Sequence, residues 1–432
     1  MKNKTFLEKD TFIVRDGETY IIYAPFRGLI TRINEFPKKN SLFYYQLIDV
    51  GFFREPPKSI KRDVEWRDFR SLTLLLTRAC NMSCIYCYAK ATSNGERMPL
   101  KIALGTVEWF LKQFIGETIR ITFHGGGEPT LEIKTIKRVV EYIERHKRDK
   151  KTTYLITTNG TAKREIWDWL VNYQFGISIS MDGPPDIQNR NRPLAVLGQK
   201  NSSQIVERNL KFLITREYPF SVRLTFSPTD DITRIVKYFG ELGVKTLHLE
   251  PLFPYGREYK SVEFGGKSRY KIYSPQGEEL LKNFWQALEM ARKYGMKIRN
   301  GHISYFTKGI GYFCGAASAR SMIVNHEGKL TGCLEVVDSL DLDANIFNFG
   351  YYVPEEKRFE IDFSKVKIMQ ERHADALSGC NLCYARYTCA GGCAVKAVRE
   401  SNNFFARDLL YCAFTKNLIP LLVKHIVNTT GI

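Results

Sequence analysis

The sequence predicts an α/β protein built on a partial (β/α)6 barrel, with a small α+β extension before it and a cysteine-rich region after it. Three observations support this fold class. Between residues 70 and 255, six apolar strand segments alternate with helical segments, the pattern of a parallel sheet or partial barrel. Of the 432 residues 44% are hydrophobic, enough to bury cores in more than one domain. The ten cysteines all fall within residues 80–87 and 314–412.

The N-terminal extension covers residues 1–69. Residues 10–36 are predicted to form short strands, because Asp16-Gly17 is a strong β-hairpin signal. The stretch NSLFYYQLIDVGFF follows as a short helix opened by Asn40 or Ser41. The polar, proline-bearing segment REPPKSIKRDVEWRD then predicts a domain boundary.

The barrel covers residues 70–255. Its strand segments are, in order, SLTLLLT, TIRITF, TTYLITT, GISISM, SVRLTFS and TLHLEPL, and apolar residues recur at the helical period between them. In such barrels functional residues gather at the C-terminal ends of the strands. The motifs TRACNMSC, HGGGEP, TTNG, SMDG and LEPL all lie at such ends. We therefore expect them at one edge of the barrel, although TTNG can also be explained as a turn.

Two further regions complete the chain: residues 256–309 as a bridging helical segment and residues 310–432 as a C-terminal domain. The chain has 64 basic and 46 acidic residues, a net charge of +18, and a computed pI near 9.3. A basic chain can bind nucleic acid or acidic peptides, but it can also simply carry a lysine-rich solubilising surface. The basic residues are scattered rather than gathered in a stripe with aromatic residues, so nucleic acid is not the expected partner.

The compartment is predicted from the apolar segments and the cysteines. We find no continuous apolar run of about 18 residues and no signal segment in MKNKTFLEKDTF, so we expect a cytoplasmic location and no membrane partner. In a reducing cytosol, ten cysteines are more often metal ligands or redox groups than structural disulfides.

The first cysteines form a C-x3-C-x2-C loop made of Cys80, Cys84 and Cys87. Three thiolates on one loop can bind three irons of a [4Fe–4S] cluster and leave the fourth iron without a protein ligand. A structural zinc site needs four ligands, and no neighbouring histidine or cysteine completes one. The loop therefore predicts an iron–sulfur site, with a chance grouping of cysteines as the alternative.

Placed after the first barrel strand, CNMSCIYC resembles the signature of the radical S-adenosylmethionine (SAM) superfamily. The resemblance implies a TIM-like barrel in which SAM chelates the unique iron. Cleavage of SAM then gives a 5′-deoxyadenosyl radical that abstracts a hydrogen atom from the substrate. The residues that the resemblance implies as cofactor contacts are Tyr86, Gly126, Gly127, Glu128, Ser180, Arg192 and Leu252. A tight turn at GGGEP, a turn serine and a surface arginine are the competing interpretations.

The seven later cysteines have their own spacing. C-x13-G-x4-C is followed by C-x2-C-x5-C-x3-C and a final cysteine. This order resembles the SPASM domain, which binds two auxiliary [4Fe–4S] clusters, so the resemblance implies three [4Fe–4S] clusters and SAM as cofactors. A zinc ribbon or a disulfide knot is the competing interpretation. The resemblance assigns Cys380, Cys383, Cys389 and Cys412 to the outer cluster, and Cys314, Cys333 and Cys393 to the inner one, where one iron lacks a cysteine ligand.

The resemblance to SPASM enzymes predicts a radical SAM oxidoreductase that modifies a precursor peptide made on the ribosome (RiPP maturation), forming a thioether or carbon–carbon cross-link. It would need a reducing partner such as ferredoxin or flavodoxin. Formylglycine formation in sulfatases, epimerisation and peptide-tail decarboxylation are alternatives, and an iron–sulfur electron carrier is an alternative of another class. No residue is assigned a catalytic role.

Three departures weigh against sulfatase maturation. Leu334 follows Cys333 where that branch has an aspartate, and Lys308 stands where it has a further cysteine. About seventy residues precede the first cysteine loop, where that branch has almost none. They resemble a small leader-binding module that pairs a peptide as an added strand, or they form an extension that caps the barrel.

Overall fold

The computed structural model describes residues 5–55, 69, 71–196, 201–227, 230–252, 277–301, 311–315, 321–341, 343–381 and 383–430. It confirms the predicted fold class, a mixed α/β architecture with a sheet that is mainly parallel. The predicted domain boundaries at residues 69/70, 255/256 and 309/310 border or lie within segments outside the described residues and stay predictions. Lys308 also lies outside them.

The N-terminal region forms a four-stranded antiparallel sheet in chain order, with one helix. Its elements are β1 (Thr5–Glu8), β2 (Thr11–Asp16), β3 (Thr19–Ala24), β4 (Leu29–Ile33) and α1 (Leu42–Val50). The hairpin predicted at Asp16-Gly17 is present, and Gly17 has the left-handed φ of +66° that such a turn requires. Helix α1 begins after Ser41, whose hydroxyl accepts a hydrogen bond from the backbone N–H of Tyr44.

Both faces of this small sheet are buried. Successive residues of a strand point to opposite faces. Phe12 and Tyr23 join the main core of the molecule, whereas Ile13 and Ile22 pack with α1 and its flanking residues in a separate core. The ring of Phe12 stacks on Tyr384 at 4.3 Å between centroids, so the sheet lies against the C-terminal cysteine region. The apolar runs TFIV and YIIY are explained by this double burial.

The barrel strands were predicted correctly in number, order and position. They are β5 (Ser71–Leu75), β6 (Thr118–His124), β7 (Lys151–Thr158), β8 (Gly176–Ser180), β9 (Phe220–Phe226) and β10 (Thr246–Pro251), each parallel to the next. The helices between them are α2 (Leu100–Gln113), α3 (Ile133–His146), α4 (Arg164–Asn172), α5 (Pro185–Asn191), α6 (Ser202–Thr215) and α7 (Ile232–Leu242). Helix α5 is the one that periodicity did not predict, since it has only seven residues.

The rest of the chain extends this sheet at both edges. Helix α8 (Gly277–Lys293) leads to β11 (Lys297–Arg299), which pairs parallel to β10. At the other edge β12 (Ser321–Val324) pairs parallel to β5, and β13 (Lys329–Thr331), β14 (Asn348–Val353) and β15 (Arg358–Ile361) follow antiparallel. The C-terminal strands therefore continue the barrel sheet, which the sequence did not predict.

The remaining helices are α9 (Ala344–Phe347), α10 (Phe363–Glu371), α11 (Arg386–Cys389), α12 (Ala394–Ser401) and α13 (Leu409–Thr430). By length and composition α13 could cross a membrane over Leu409–Thr429, although no continuous apolar run was found there in the sequence. In this structure 56% of that apolar segment is buried inside the protein, with Leu418, Ile419 and Val423 in the main core. Its hydrophobic side chains thus pack within the fold.

Candidate functional site

A cavity of about 320 Å³ opens at the C-terminal ends of the barrel strands. It brings together the first cysteine loop and all seven predicted cofactor contacts. The predicted residues that line it are Cys80, Cys84, Tyr86, Cys87, Gly126, Gly127, Glu128, Ser180, Arg192 and Leu252. The seven later cysteines are not among the lining residues. Leu334, Glu335 and Lys396 of the C-terminal region complete the wall, and sequence reasoning did not single out the latter two.

The cysteine loop follows β5, and hydrogen bonds of its first cysteine, Cys80, fix its position. The backbone N–H of Cys80 donates to the carbonyl of Thr92 at 2.7 Å, which ties the loop to the chain returning toward α2. The sulfur of Cys80 accepts from the N–H of Met82 at 3.4 Å and lies 3.8 Å from the amide nitrogen of Asn159. Such hydrogen bonds to sulfur are one of the means by which a protein adjusts an iron–sulfur cluster.

The chemistry of these thiols fits a bound cluster. Burial, then the charges of Glu128, Cys84 and Cys87, raise the pKa of Cys80 to about 12. A buried thiol of this kind becomes a thiolate when a metal supplies positive charge and displaces the proton. No three ligand side chains of the described residues converge closely enough to hold a single metal ion. A cluster of four irons is wider than one ion, so its ligands stand further apart.

The glycine turn after β6 packs directly on the cysteine loop. Gly127 donates its N–H to the carbonyl of Thr77 at 2.7 Å, and Glu128 donates to the carbonyl of Ala79 at 2.8 Å. A Cβ atom on Gly127 would lie far inside van der Waals contact with that Ala79 carbonyl. Glycine is therefore required here for the two loops to meet, whatever ligand the cavity takes.

Glu128 anchors the ends of two strands. Its side chain is 1% exposed and accepts from the N–H of Thr130 at 3.0 Å, the hydroxyl of Thr158 at 2.7 Å and the N–H of Asn159 at 2.7 Å. Burial raises the pKa of this carboxyl, and the hydrogen bonds oppose the rise. Thr158 and Asn159 of TTNG, which the sequence left open as a turn, thus hold the glycine turn and approach Cys80.

Asp182 organises the opposite wall of the cavity, and sequence reasoning missed it. It is fully buried and accepts from the hydroxyl of Tyr86, from Nε of Arg192 at 3.0 Å and from the N–H of Thr225 at 3.1 Å. The guanidinium of Arg192 lies 5.2 Å from the ring centroid of Tyr86. Because the pairing uses Nε, the terminal nitrogens of Arg192 are the ones available to a ligand carboxylate. The clue in the sequence was SMDG, in which only Ser180 was assigned.

The strand ends beyond this wall carry opposite charges. Burial opposes ionisation of Glu250, but the hydrogen bond from His248 and the charges of Lys396 and Arg223 bring its pKa down to about 2. Burial and Arg223 lower the pKa of His124 to about 4, so this imidazole is neutral at pH 7. In addition to the groups described above, the cavity wall therefore offers the carboxylate of Glu250, the cations of Arg223 and Lys396 and the neutral imidazole of His124.

The seven later cysteines fall into two groups according to which of the other cysteines influence the pKa of each thiol. Besides burial, the charges that raise the pKa of Cys333 include those of Cys393 and Cys314. The thiols that act on Cys389 are Cys412, Cys383 and Cys380. The ligation of two clusters by these three and four cysteines, which the resemblance implied, stays a prediction. All ten cysteines lie within the described residues, and none of them forms a disulfide.

Comparison with known proteins adds three findings. Residues 74–255 match the family model of the radical SAM superfamily. The chain is 25% identical over 385 residues to a cysteine-type anaerobic sulfatase-maturating enzyme of Clostridium perfringens, covering 83% of this chain and 98% of that relative.

Two solved structures share the fold. Native anSMEcpe with bound AdoMet and Cp18Cys peptide has a TM-score of 0.65 at 19% identity, covering 83% of this chain and 99% of that one. Streptococcus suis SuiB bound to precursor peptide SuiA has a TM-score of 0.51 at 12% identity, covering 94% of this chain and 99% of that one.

Proposed function

We propose that this chain, whose residues 74–255 match the radical SAM superfamily, is a peptide maturase that forms a thioether or carbon–carbon cross-link in a ribosomally made peptide. The family implies SAM and a [4Fe–4S] cluster as cofactors. Binding of two further clusters by the seven later cysteines belongs to the proposal. The similar proteins, a cysteine-type anaerobic sulfatase-maturating enzyme and SuiB bound to its precursor peptide, support a peptide or protein substrate.

The observation that carries the proposal is the composition of the cavity wall. The wall contains the three thiols of the first loop together with Leu334, Glu335 and Lys396 of the C-terminal cysteine region. Leu334 directly follows Cys333 in the chain, and Lys396 lies three residues after Cys393. A substrate in the cavity would therefore contact both the first cysteine loop and residues next to the inner cysteine group.

The loop and cavity residues fit the cofactors they would hold. Cys80, Cys84 and Cys87 would ligate the cluster, whose chemistry with SAM is one-electron and removes a hydrogen atom from an unactivated bond. Gly126 and Gly127 line the cavity, where their backbone groups would face the SAM amine. Arg192, oriented by Asp182, would pair with the SAM carboxylate, a charge-assisted contact.

The remaining SAM contacts would come from the ends of β8 and β10 and from the cysteine loop. Ser180 ends β8 and offers a hydroxyl suited to a ribose. Leu252 follows β10 and is held by a hydrogen bond from its N–H to the carbonyl of Phe226 at 2.8 Å. With Tyr86, it would bound the adenine ring.

The N-terminal sheet is proposed to bind the leader of the peptide. Among the described strands, β1 and β4 are its edges, so either could pair with an extended peptide through main-chain hydrogen bonds. The outward face of α1 exposes Leu42, Tyr45 and Val50, at 77%, 51% and 64%. Exposed apolar side chains in one module favour an interaction surface over a simple cap on the barrel.

Formylglycine formation is the second candidate function. The match over 98% of a cysteine-type sulfatase-maturating enzyme favours it. Leu334 lacks the carboxylate expected after Cys333, but Glu335 lines the cavity one residue later and is held by Arg399 at 3.0 Å. A carboxylate able to accept a substrate proton is thus present at a shifted position.

The test is anaerobic incubation with SAM, a chemical reductant and a precursor peptide encoded beside this gene, followed by mass spectrometry. A product lighter by two hydrogen atoms, with a new link between two residues, is the expected result. An aldehyde at a single cysteine or serine would indicate formylglycine formation. A product of unchanged mass and altered chirality would indicate epimerisation and overturn the cross-linking proposal.

A further inference from the structure

A buried guanidinium lies between the two later cysteine groups. Arg372 follows α10 and is 0% exposed. It donates from Nε to the carbonyl of Phe404 at 2.7 Å, from Nη2 to Ala406 at 2.9 Å and from Nη1 to Gly392 at 3.1 Å. A longer contact of 3.5 Å joins Nη2 to the carbonyl of Gly391. Every acceptor is a neutral backbone group.

The carbonyl groups that accept from Arg372 belong to two different segments of the C-terminal region. Gly391 and Gly392 form the turn between Cys389 of the outer group and Cys393 of the inner group, and both have a φ of +77°. Phe404 and Ala406 belong to the segment that leads into α13, which carries Cys412. The guanidinium of Arg372 therefore holds two parts of the chain together. One is the turn between the two cysteine groups, and the other is the segment that leads to the ligand Cys412.

The charge of Arg372 has no ion-pair partner among the residues that the structure describes. Burying an unpaired charge costs several kcal/mol in a low-dielectric interior, on the order of the penalty measured for broken buried ion pairs. Burial accordingly lowers the pKa of Arg372. The groups whose negative charge opposes this shift are Cys393, Cys314, Asp408 and Cys380, in that order. Once the two cysteine groups hold negatively charged clusters, they would supply the countercharge for this buried guanidinium.

We propose that Arg372 is a fixed countercharge for the two later cysteine groups, which holds their connecting turn and makes the reduction potentials of their clusters less negative. The inference rests on the proposed ligation of two clusters by these cysteines. Adding an electron makes a cluster more negative, so a nearby buried cation stabilises the reduced state. Salt screens such a buried interaction weakly. The guanidinium donates to the carbonyl of Gly392, the residue before the inner-group Cys393, so the inner cluster should be affected most.

The experiment measures reduction potentials by EPR-monitored titration in a background where Cys80, Cys84 and Cys87 are alanine, so that only the later clusters contribute. Arg372→Gln removes the charge and keeps a hydrogen-bond donor, whereas Arg372→Lys keeps the charge. Arg234→Gln is the control, because Arg234 is half exposed and pairs with Asp186 on the surface. Iron is counted in every variant.

The expected result is a change of at least tenfold in the reduction equilibrium of the inner cluster in Arg372→Gln, about 59 mV more negative for one electron. Arg372→Lys should keep the reduction potential of the inner cluster close to that of the protein with Arg372, and Arg234→Gln should leave that potential unchanged. Equal shifts in the Lys and Gln variants, or none in either, would overturn the proposal. If Arg372→Gln does not load iron, loading of Arg372→Lys supports the charge, and failure of both assigns Arg372 a purely structural role.

The two proposals fail differently. A background protein with no iron beyond trace amounts would refute cluster ligation by the seven cysteines. A background protein with both clusters and unchanged potentials in Arg372→Gln would refute only the role of Arg372.

Discussion

At the scale of single residues, the candidate site depends on buried polar groups whose partners lie far apart in the chain. Asp182 receives hydrogen bonds from Tyr86, Arg192 and Thr225 and has no exposed surface. Removing one partner from a buried charged pair costs more than the pair contributes, because the other charge stays buried and unpaired. The site is therefore sensitive at positions that would never touch a ligand.

Asp182→Asn tests this dependence. We expect a loss of about 3 kcal/mol in the free energy of unfolding, together with at least tenfold weaker SAM binding, because Arg192 loses its orienting partner. Thermal denaturation and equilibrium binding measure the two effects. Asp186→Asn is the matched control, since Asp186 forms an exposed pair with Arg234 and should leave both quantities unchanged. Unaltered SAM affinity in Asp182→Asn would contradict the assigned role.

Cys84→Ala tests the first cysteine loop. We expect formation of 5′-deoxyadenosine from SAM to be abolished, because two thiolates cannot hold the cluster that three hold. Chromatography of the reaction mixture measures the product. Ser83→Ala, a change of similar size in the same loop, should retain it. Undiminished cleavage in Cys84→Ala would exclude this loop as the cluster site.

At the scale of elements, the cavity exists because the loop after β5 and the turn after β6 pack on each other without side chains between them. Two backbone hydrogen bonds join them, from Gly127 to Thr77 and from Glu128 to Ala79. The pattern of strands and helices predicted that these segments end at one edge. It did not predict how closely they approach.

Gly127→Ala should separate the two loops, because its Cβ would overlap the carbonyl of Ala79. Overpacking of this kind costs about 1–3 kcal/mol, and we expect a lower melting temperature and less iron bound by the first loop. Gly126→Ala is the control: its Cβ would meet Val337 at 3.2 Å, a much milder overlap than that of Gly127 with the Ala79 carbonyl. Equal iron contents in the two variants would contradict the close-approach argument.

At the scale of the whole molecule, one sheet of eleven strands joins the barrel to the C-terminal region. Strand β12 pairs with β5, and residues beyond it place Leu334, Glu335 and Lys396 in the cavity wall. The N-terminal sheet packs against the same C-terminal region through Phe12 and Tyr384. None of the later cysteines lines the cavity that contains the first cysteine loop, so we expect the cluster of that loop to be dispensable for theirs.

Replacing Cys80, Cys84 and Cys87 together by alanine tests this independence. Three clusters give roughly 12 irons per chain, and the variant should keep about two-thirds of them, because the later thiols and their partners are untouched. Iron and sulfide analysis of reconstituted protein measures this. Retention of only a few irons would mean that the seven later cysteines do not form two clusters.

The sequence by itself determined the six barrel strands and the separation of the first cysteine loop from the seven later cysteines. Apolar periodicity placed the strands because it is a local pattern set by backbone geometry, whereas the division of the later cysteines into two ligand groups follows from a family resemblance and stays a prediction. Tertiary structure alone decided the partners of Asp182, the environment of Arg372 and the pairing of β5 with β12. Ser71 meets Ser321 across that pair. Contacts over such separations follow from how whole elements pack, which leaves no mark in a short stretch of sequence.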